Sequence, residues 1–221
     1  MEDLELEVVS VIFRDRVDAG KKLARALGSY NAEKPVVYAL PRGGVVVGAE
    51  VARSLDAPLD LIIVRKVGHP FSPEYAIAAV AEDGHTVVNR LEVDTIDKEW
   101  FEENLQIERR EAGRRRELYM RGRNPISAAD RIAIIVDDGL VTGLTMFGAI
   151  QEIRHSNPQK IVVAVPVAPP QTVQELKRVA DDVVVLYETA NFGAIGSFYS
   201  RFDQVSDEEV IGLLHEVHVG A

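Results

Sequence analysis

The stretch IAIIVDDGLVTGLTM, residues 132–146, gathers the residues best suited to chemistry. An apolar run ends in Asp137 and Asp138, and a short loop with Gly139, Thr142, Gly143 and Thr145 leads into helix-forming sequence. Two adjacent carboxylates at the end of a strand can accept hydrogen bonds from a vicinal diol. The loop after them offers backbone N–H groups, two hydroxyls and a helix start, which together suit a phosphate monoester. A diol binder one loop away from a phosphate binder forms a cradle for a ribose 5-phosphate. The same residues could be a plain strand-to-loop turn with Thr145 as a cap. The joint occurrence of strand, acidic pair, T-G-x-T and helix favours the cradle. A Walker loop fits poorly, because no GKS or GKT occurs.

Two other segments have the same strand-then-glycine character. Residues 39–44 read ALPRGG, where Gly43 and Gly44 allow close backbone approach and Arg42 can hold phosphate oxygens in pairs. By itself RGG is a weak signal and favours a simple glycine-rich turn with a surface Arg, and GGVVVG lacks the spacing of a dinucleotide fingerprint. Residues 65–70 read RKVGHP, placing Arg65 and Lys66 side by side as natural counter-charges for pyrophosphate, or as solvated flanks of a strand.

The elements that must position these loops follow from periodicity. Helices are expected over residues 14–27, 44–55, 97–122, 145–155 and 171–180, with Ser206 and Glu209 forming a capping box for a last helix. Short continuous apolar runs predict strands over 35–40, 59–67, 131–138, 160–168 and 183–187. Two further short strands are expected within 76–89, joined around Asp83-Gly84. Strands alternating with helices imply an α/β fold with a mostly parallel central sheet flanked by helices. Ligands in such sheets sit beyond the carboxyl ends of the strands, where the three loops fall.

Composition narrows the function. With 221 residues, 47% of them hydrophobic, the chain suits one sizeable domain with a small appendage. A net charge of −10 argues against a general binder of nucleic acid or anionic membranes. The absence of cysteine excludes disulfides and thiolate chemistry. The acidic start, MEDLELEVVS, does not read as a signal peptide, and no apolar run approaches ~20 residues, so a cytoplasmic protein is expected.

The IVDDGLVTGLT stretch, with the PRGG and RKVG loops around it, resembles the type I phosphoribosyltransferases. The resemblance spans most of residues 14–188. It implies a single domain over 1–221, with a core at about 14–188, a long helical insertion at about 97–123, a small hood at about 189–205 and a C-terminal helix at 206–217. It implies that the substrate is 5-phosphoribosyl-1-pyrophosphate (PRPP), attacked by a small nitrogenous acceptor. Asp137 and Asp138 would contact the ribose hydroxyls, and Thr142, Gly143, Leu144 and Thr145 would cradle the 5-phosphate. Leu144 stands where many relatives carry Gly or Lys, but its backbone N–H can still serve. Gly43, Gly44, Arg42, Arg65 and Lys66 would meet pyrophosphate, with Arg42 and Lys66 the catalytic pair. Magnesium would arrive largely on PRPP, with no dedicated protein cage. Residues 68–84 would form a lid, with His69, Glu74 and Glu82 as candidate polar groups. Homo-oligomerisation, most simply as a dimer, is expected.

Three features stay open at this stage. Val141 occupies the place where 6-oxopurine transferases of the family carry Asp, which points away from hypoxanthine, guanine or xanthine as acceptor. Phe192, Phe198, Tyr199 and Phe202 could stack on a planar base or could be the hood's own core. Arg109, Arg110, Arg114, Arg115, Arg116, Arg121 and Arg123 read as a solvated or oligomeric helix, or as an arm for a phosphorylated acceptor. The alternative to an enzyme is a PRPP-binding regulator without catalysis, with a nucleotide-binding structural subunit further behind.

Overall fold

The computed structural model describes residues 11–219, so the acidic start read above as no signal peptide lies outside the described residues. The chain runs through α1 (Arg16–Ala26), β1 (Val36–Ala39), α2 (Gly43–Ser54) and β2 (Leu59–Leu61). An antiparallel unit follows, β3 (Val64–His69), β4 (Ser72–Ala81) and β5 (Thr86–Val88), then the short α3 (Arg90–Val93) and the long α4 (Lys98–Tyr119). β6 (Ile132–Val136), α5 (Leu144–Arg154), β7 (Lys160–Ala168), α6 (Pro170–Leu176), β8 (Asp182–Glu188) and α7 (Asp207–Val219) complete the order.

The central sheet has the order β2-β1-β6-β7-β8, and every pairing in it is parallel. Its middle strand explains why. Ile132, Ile134 and Val136 enter one core with residues of α1, α2 and α7, while Ala133 and Ile135 enter another with residues of α5 and α6. All five residues of β6 are buried, so both faces need a helical cover. Each fully buried Ile or Val contributes about 1.5–3 kcal/mol. Helix ends are set locally. Asp15 caps α1 by accepting from the Asp18 amide at 2.9 Å, and that bond helps hold its carboxyl at about 2. The capping box of α7 closes both ways, Ser206 N–H to Glu209 at 2.8 Å and Glu209 N–H to Ser206 Oγ at 3.2 Å.

Four expectations change. Residues 59–67 are two strands in two sheets: β2 pairs with β1, and after Ile62 and Ile63, both buried, β3 pairs antiparallel with β4. The expected lid, 68–84, is largely strand, because β4 extends from residue 72 to 81, with turns around Phe71, 92% exposed, and Asp83. The helix expected over 97–122 stops at Tyr119, and Gly122 turns the chain with φ +75°. The helix expected over 171–180 ends at Leu176, and α3 went unforeseen.

Candidate active site

The acidic pair closes β6 at the centre of the sheet. Asp137 Oδ1 accepts from the Asp138 amide at 2.8 Å. Asp138 Oδ2 accepts from Arg16 Nε at 2.7 Å, and Arg16 Nη1 donates to the Asp203 carbonyl at 2.7 Å. The guanidinium of Arg16 lies 3.7 Å from the centre of the Phe202 ring, and Tyr199 donates its hydroxyl to the Asp138 carbonyl at 2.6 Å. α1 and residues 199–203 thus lock Asp138 from behind. Burial and the neighbouring charge of Asp138 push the Asp137 carboxyl well above the usual carboxylate range. Burial raises Asp138 as well, while Arg16 pulls against it. The pair therefore holds a proton more readily than two isolated carboxylates would.

The PRGG loop presses directly on this pair. A Cβ added at Gly43 would sit 1.9 Å from Asp138 Oδ2, and one at Gly44 would sit 2.9 Å from Asp137 Cα. No side chain fits at either position, which is the physical reason for both glycines. The Pro41–Arg42 peptide bond in this loop is cis.

In front of the pair opens a cleft of about 460 Å³, bounded by Asp137, Asp138, the 139–145 loop, Lys66, Tyr75 and Ile195. Gly143 has φ +73° and forms the N-cap of α5, so the loop turns sharply and aims the first amides of the helix into the cleft. The loop is pinned by the Leu140 amide bonding to the Val167 carbonyl at 3.0 Å and by the Thr172 hydroxyl donating to the Val141 carbonyl at 2.7 Å. Val141 is 47% exposed and faces the cleft. The arrangement can bind a phosphate at the loop, hydroxyls at the carboxylates and a further anion at Lys66.

The structure brings together Lys66, Asp137, Asp138, Thr142, Gly143, Leu144 and Thr145, with Gly43 and Gly44 behind them. It does not bring Arg65 or Arg42 into the cleft wall. Arg65 follows the strand alternation to the opposite face from Lys66, and its Nε donates to Glu108 of α4 at 2.8 Å. Arg42 lies 3.6 Å from Asp207 at the start of α7. His69 is outside the cleft wall, with Nδ1 accepting from the Phe71 amide at 3.2 Å. Glu82 is drawn inward toward Arg116, and the Glu74 side chain lies outside the described residues. Of the hood rings, Phe198 and Tyr199 are buried against Phe13, with Phe192 and Phe202 packed on them, so they form a core more than an open platform. Sequence reasoning missed Arg16, Tyr75 and Ile195 as site residues, and it read Tyr199 as a stacking or core ring, not as a donor to the Asp138 carbonyl. Arg16 and Ile195 reach the site from far along the chain, Tyr75 lies within the segment expected as a lid, and no local motif marks any of them.

A parallel sheet with an acidic pair and a sharply turned, helix-opening loop at its carboxyl edge defines a class of α/β proteins whose ligand cleft lies beyond the strand ends. The comparisons make the assignment specific. A family model described as "Phosphoribosyl transferase domain" matches residues 14–200, and the chain belongs to that family, with the type I fold. It is 43% identical over 214 residues to a Mycobacterium tuberculosis protein named "Putative phosphoribosyl transferase Rv0571c". That match covers 94% of this chain and 47% of the relative, so the chain spans about half the length of the curated relatives it matches. The crystal structure of TT1426 from Thermus thermophilus superposes with a TM-score of 0.78 at 42% identity, covering 93% of this chain and 98% of that one. AQ2163 of Aquifex aeolicus shares the fold alone, with a TM-score of 0.51 at 13% identity, covering 84% of this chain and 85% of that one. No helix among the described residues is long and apolar enough to cross a membrane.

Proposed function

We propose that this chain transfers the 5-phosphoribosyl group of PRPP to a small nitrogenous acceptor and releases pyrophosphate. The observation that carries the reading is the cleft itself: a glycine-backed carboxylate pair, a helix-start loop and Lys66 converge on one space of about 460 Å³. Asp137 and Asp138 hold the ribose hydroxyls, and the amides and hydroxyls of residues 142–145 hold the 5-phosphate. The bond from the anomeric carbon to pyrophosphate breaks as positive charge builds on the sugar, so positioning and charge stabilisation do most of the work. Lys66 stabilises the departing pyrophosphate. The carboxylates are hard oxygen donors and fit magnesium carried in on PRPP, which adds charge neutralisation at the leaving group. Tyr75, Val141 and Ile195 give the acceptor an apolar surface, and no carboxylate stands at position 141.

One observation favours a second reading. Arg42 sits by Asp207 and Arg65 binds Glu108, which leaves Lys66 as the cation bordering the cleft among the described residues. A PRPP-binding regulator without catalysis needs no more. Calorimetry with magnesium-PRPP tests the shared step. The parent chain binds, and Asp137→Ala/Asp138→Ala loses at least roughly tenfold in affinity, since charge-assisted hydrogen bonds contribute about 1.5–3 kcal/mol each. Unchanged binding in the double variant rejects both readings.

A further inference from the structure

We propose that Arg16 and Tyr199 are positioning residues: they hold Asp138 so that the acidic pair selects a phosphorylated sugar carrying a vicinal diol. The proposal rests on the transfer reading above, in which the pair holds the ribose hydroxyls. It assigns that selectivity to two side chains that are not in the cleft wall.

The hold on the carboxylate is specific to one oxygen. Arg16 Nε reaches Asp138 Oδ2 at 2.7 Å, with the Arg16 and Asp138 side chains only 11% and 12% exposed. A Cβ at Gly43 would lie 1.9 Å from that same oxygen, so Oδ2 is enclosed by protein. Asp137 Oδ1 is engaged by the Asp138 amide at 2.8 Å. Each carboxylate thus spends one oxygen on the protein, which leaves Asp138 Oδ1 and Asp137 Oδ2 to meet two hydroxyls. Acceptors fixed beforehand bind a diol without the cost of ordering them.

The backbone under Asp138 is held as well. Tyr199, 5% exposed, donates its hydroxyl to the Asp138 carbonyl at 2.6 Å. A buried hydroxyl or guanidinium is costly without partners, and both groups find one in Asp138. The anchors are themselves fixed. Arg16 is held by the Asp203 carbonyl at 2.7 Å and the Phe202 ring at 3.7 Å, and Tyr199 packs on the Phe13 and Phe202 rings at 5.3 and 4.9 Å. The Ser200 and Arg201 amides bond to the Phe13 and Arg14 carbonyls at 2.9 Å each, tying this segment to the entry of α1. Support of this kind fixes a functional group to within a fraction of an ångström. The 139–145 loop is pinned elsewhere, through Val167 and Thr172. Disturbing Arg16 or Tyr199 therefore separates diol recognition from phosphate recognition.

Calorimetry with ribose 5-phosphate and with 2,3-dideoxyribose 5-phosphate, which lacks the diol, tests this on the parent, Tyr199→Phe and Arg16→Lys. The first substitution removes one hydroxyl and keeps the ring, and the second keeps the charge without the guanidinium fork. Circular dichroism checks that both variants fold. The parent should prefer ribose 5-phosphate by at least roughly tenfold. In each variant that preference should fall at least about threefold, with the dideoxy ligand bound within about twofold of the parent. A preference that either variant keeps overturns the role given to that residue. Equal weakening of both ligands, the mark of general damage, overturns the proposal, as does a parent without the preference. Magnesium-PRPP titrated into the parent separates this failure from that of the transfer reading. A parent that binds PRPP while the variants keep the preference loses only the positioning role, and one that binds neither PRPP nor ribose 5-phosphate loses both.

Discussion

At the scale of single residues, the site depends on contacts that leave no room. Gly43 abuts Asp138 with space for a hydrogen only, so Gly43→Ala should displace the carboxylate pair and lower PRPP affinity at least roughly tenfold, measured by calorimetry. Arg16→Ala leaves a buried carboxylate without its cation and should cost about 3 kcal/mol in denaturant unfolding. Lys66 is the test of catalysis as against binding: Lys66→Ala should lower turnover more than it weakens ribose 5-phosphate binding, and equal losses would assign it to binding alone. Val141 bears on the acceptor. A valine cannot satisfy a buried N–H, which costs about 1–3 kcal/mol, so steady-state assays should show hypoxanthine and guanine turned over no better than adenine. Efficient use of either would show that another group replaces the missing carboxylate. The acidic pair and its loop were legible because they lie together in one short stretch, residues 132–146. The contacts of Arg16 and Tyr199 with Asp138 were not, because they span 122 and 61 positions.

At the scale of elements, the antiparallel unit is joined to the rest through buried charge. Glu82, just after β4, lies 3.5 Å from Arg116 of α4, and Arg116 also holds Asp60 of β2. Burial pushes Glu82 up to about 7, and burial together with the charges of Glu82 and Asp83 pushes Glu152 of α5 up to about 8. Both groups bind a proton more tightly folded than unfolded. Their stabilising contribution is therefore full below the ordinary carboxylate range and is lost as pH rises through about 7 and then about 8. The melting temperature should fall between about pH 5 and 8 and level off above that, by roughly 2–4 °C for each kcal/mol lost. Glu82→Gln/Glu152→Gln should flatten that fall, and an unchanged profile would contradict the assignment. Periodicity located the parallel strands because each is a short run covered on both faces. It could not divide residues 59–67, because Leu61, Ile62 and Ile63 are all buried and nothing apolar marks where one sheet ends and the other begins. β4 was foreshortened for a related reason: at its start Ser72, Pro73 and Tyr75 are exposed, and without an apolar run they read as loop.

At the scale of the whole molecule, five parallel strands carry their loops to one edge, and there the acidic pair, the 139–145 loop and Lys66 meet. Family membership and fold are shown by the match over residues 14–200, while transfer to an acceptor rests on the cleft. The most direct measurement is pyrophosphate release from PRPP with magnesium and a panel of adenine, hypoxanthine, guanine, xanthine, uracil and orotate, run beside the Asp137→Ala/Asp138→Ala variant. Acceptor-dependent release by the parent chain, abolished in the variant, is the predicted result. Magnesium-PRPP binding with no acceptor-dependent release from any base would contradict transfer to these acceptors and favour the regulator.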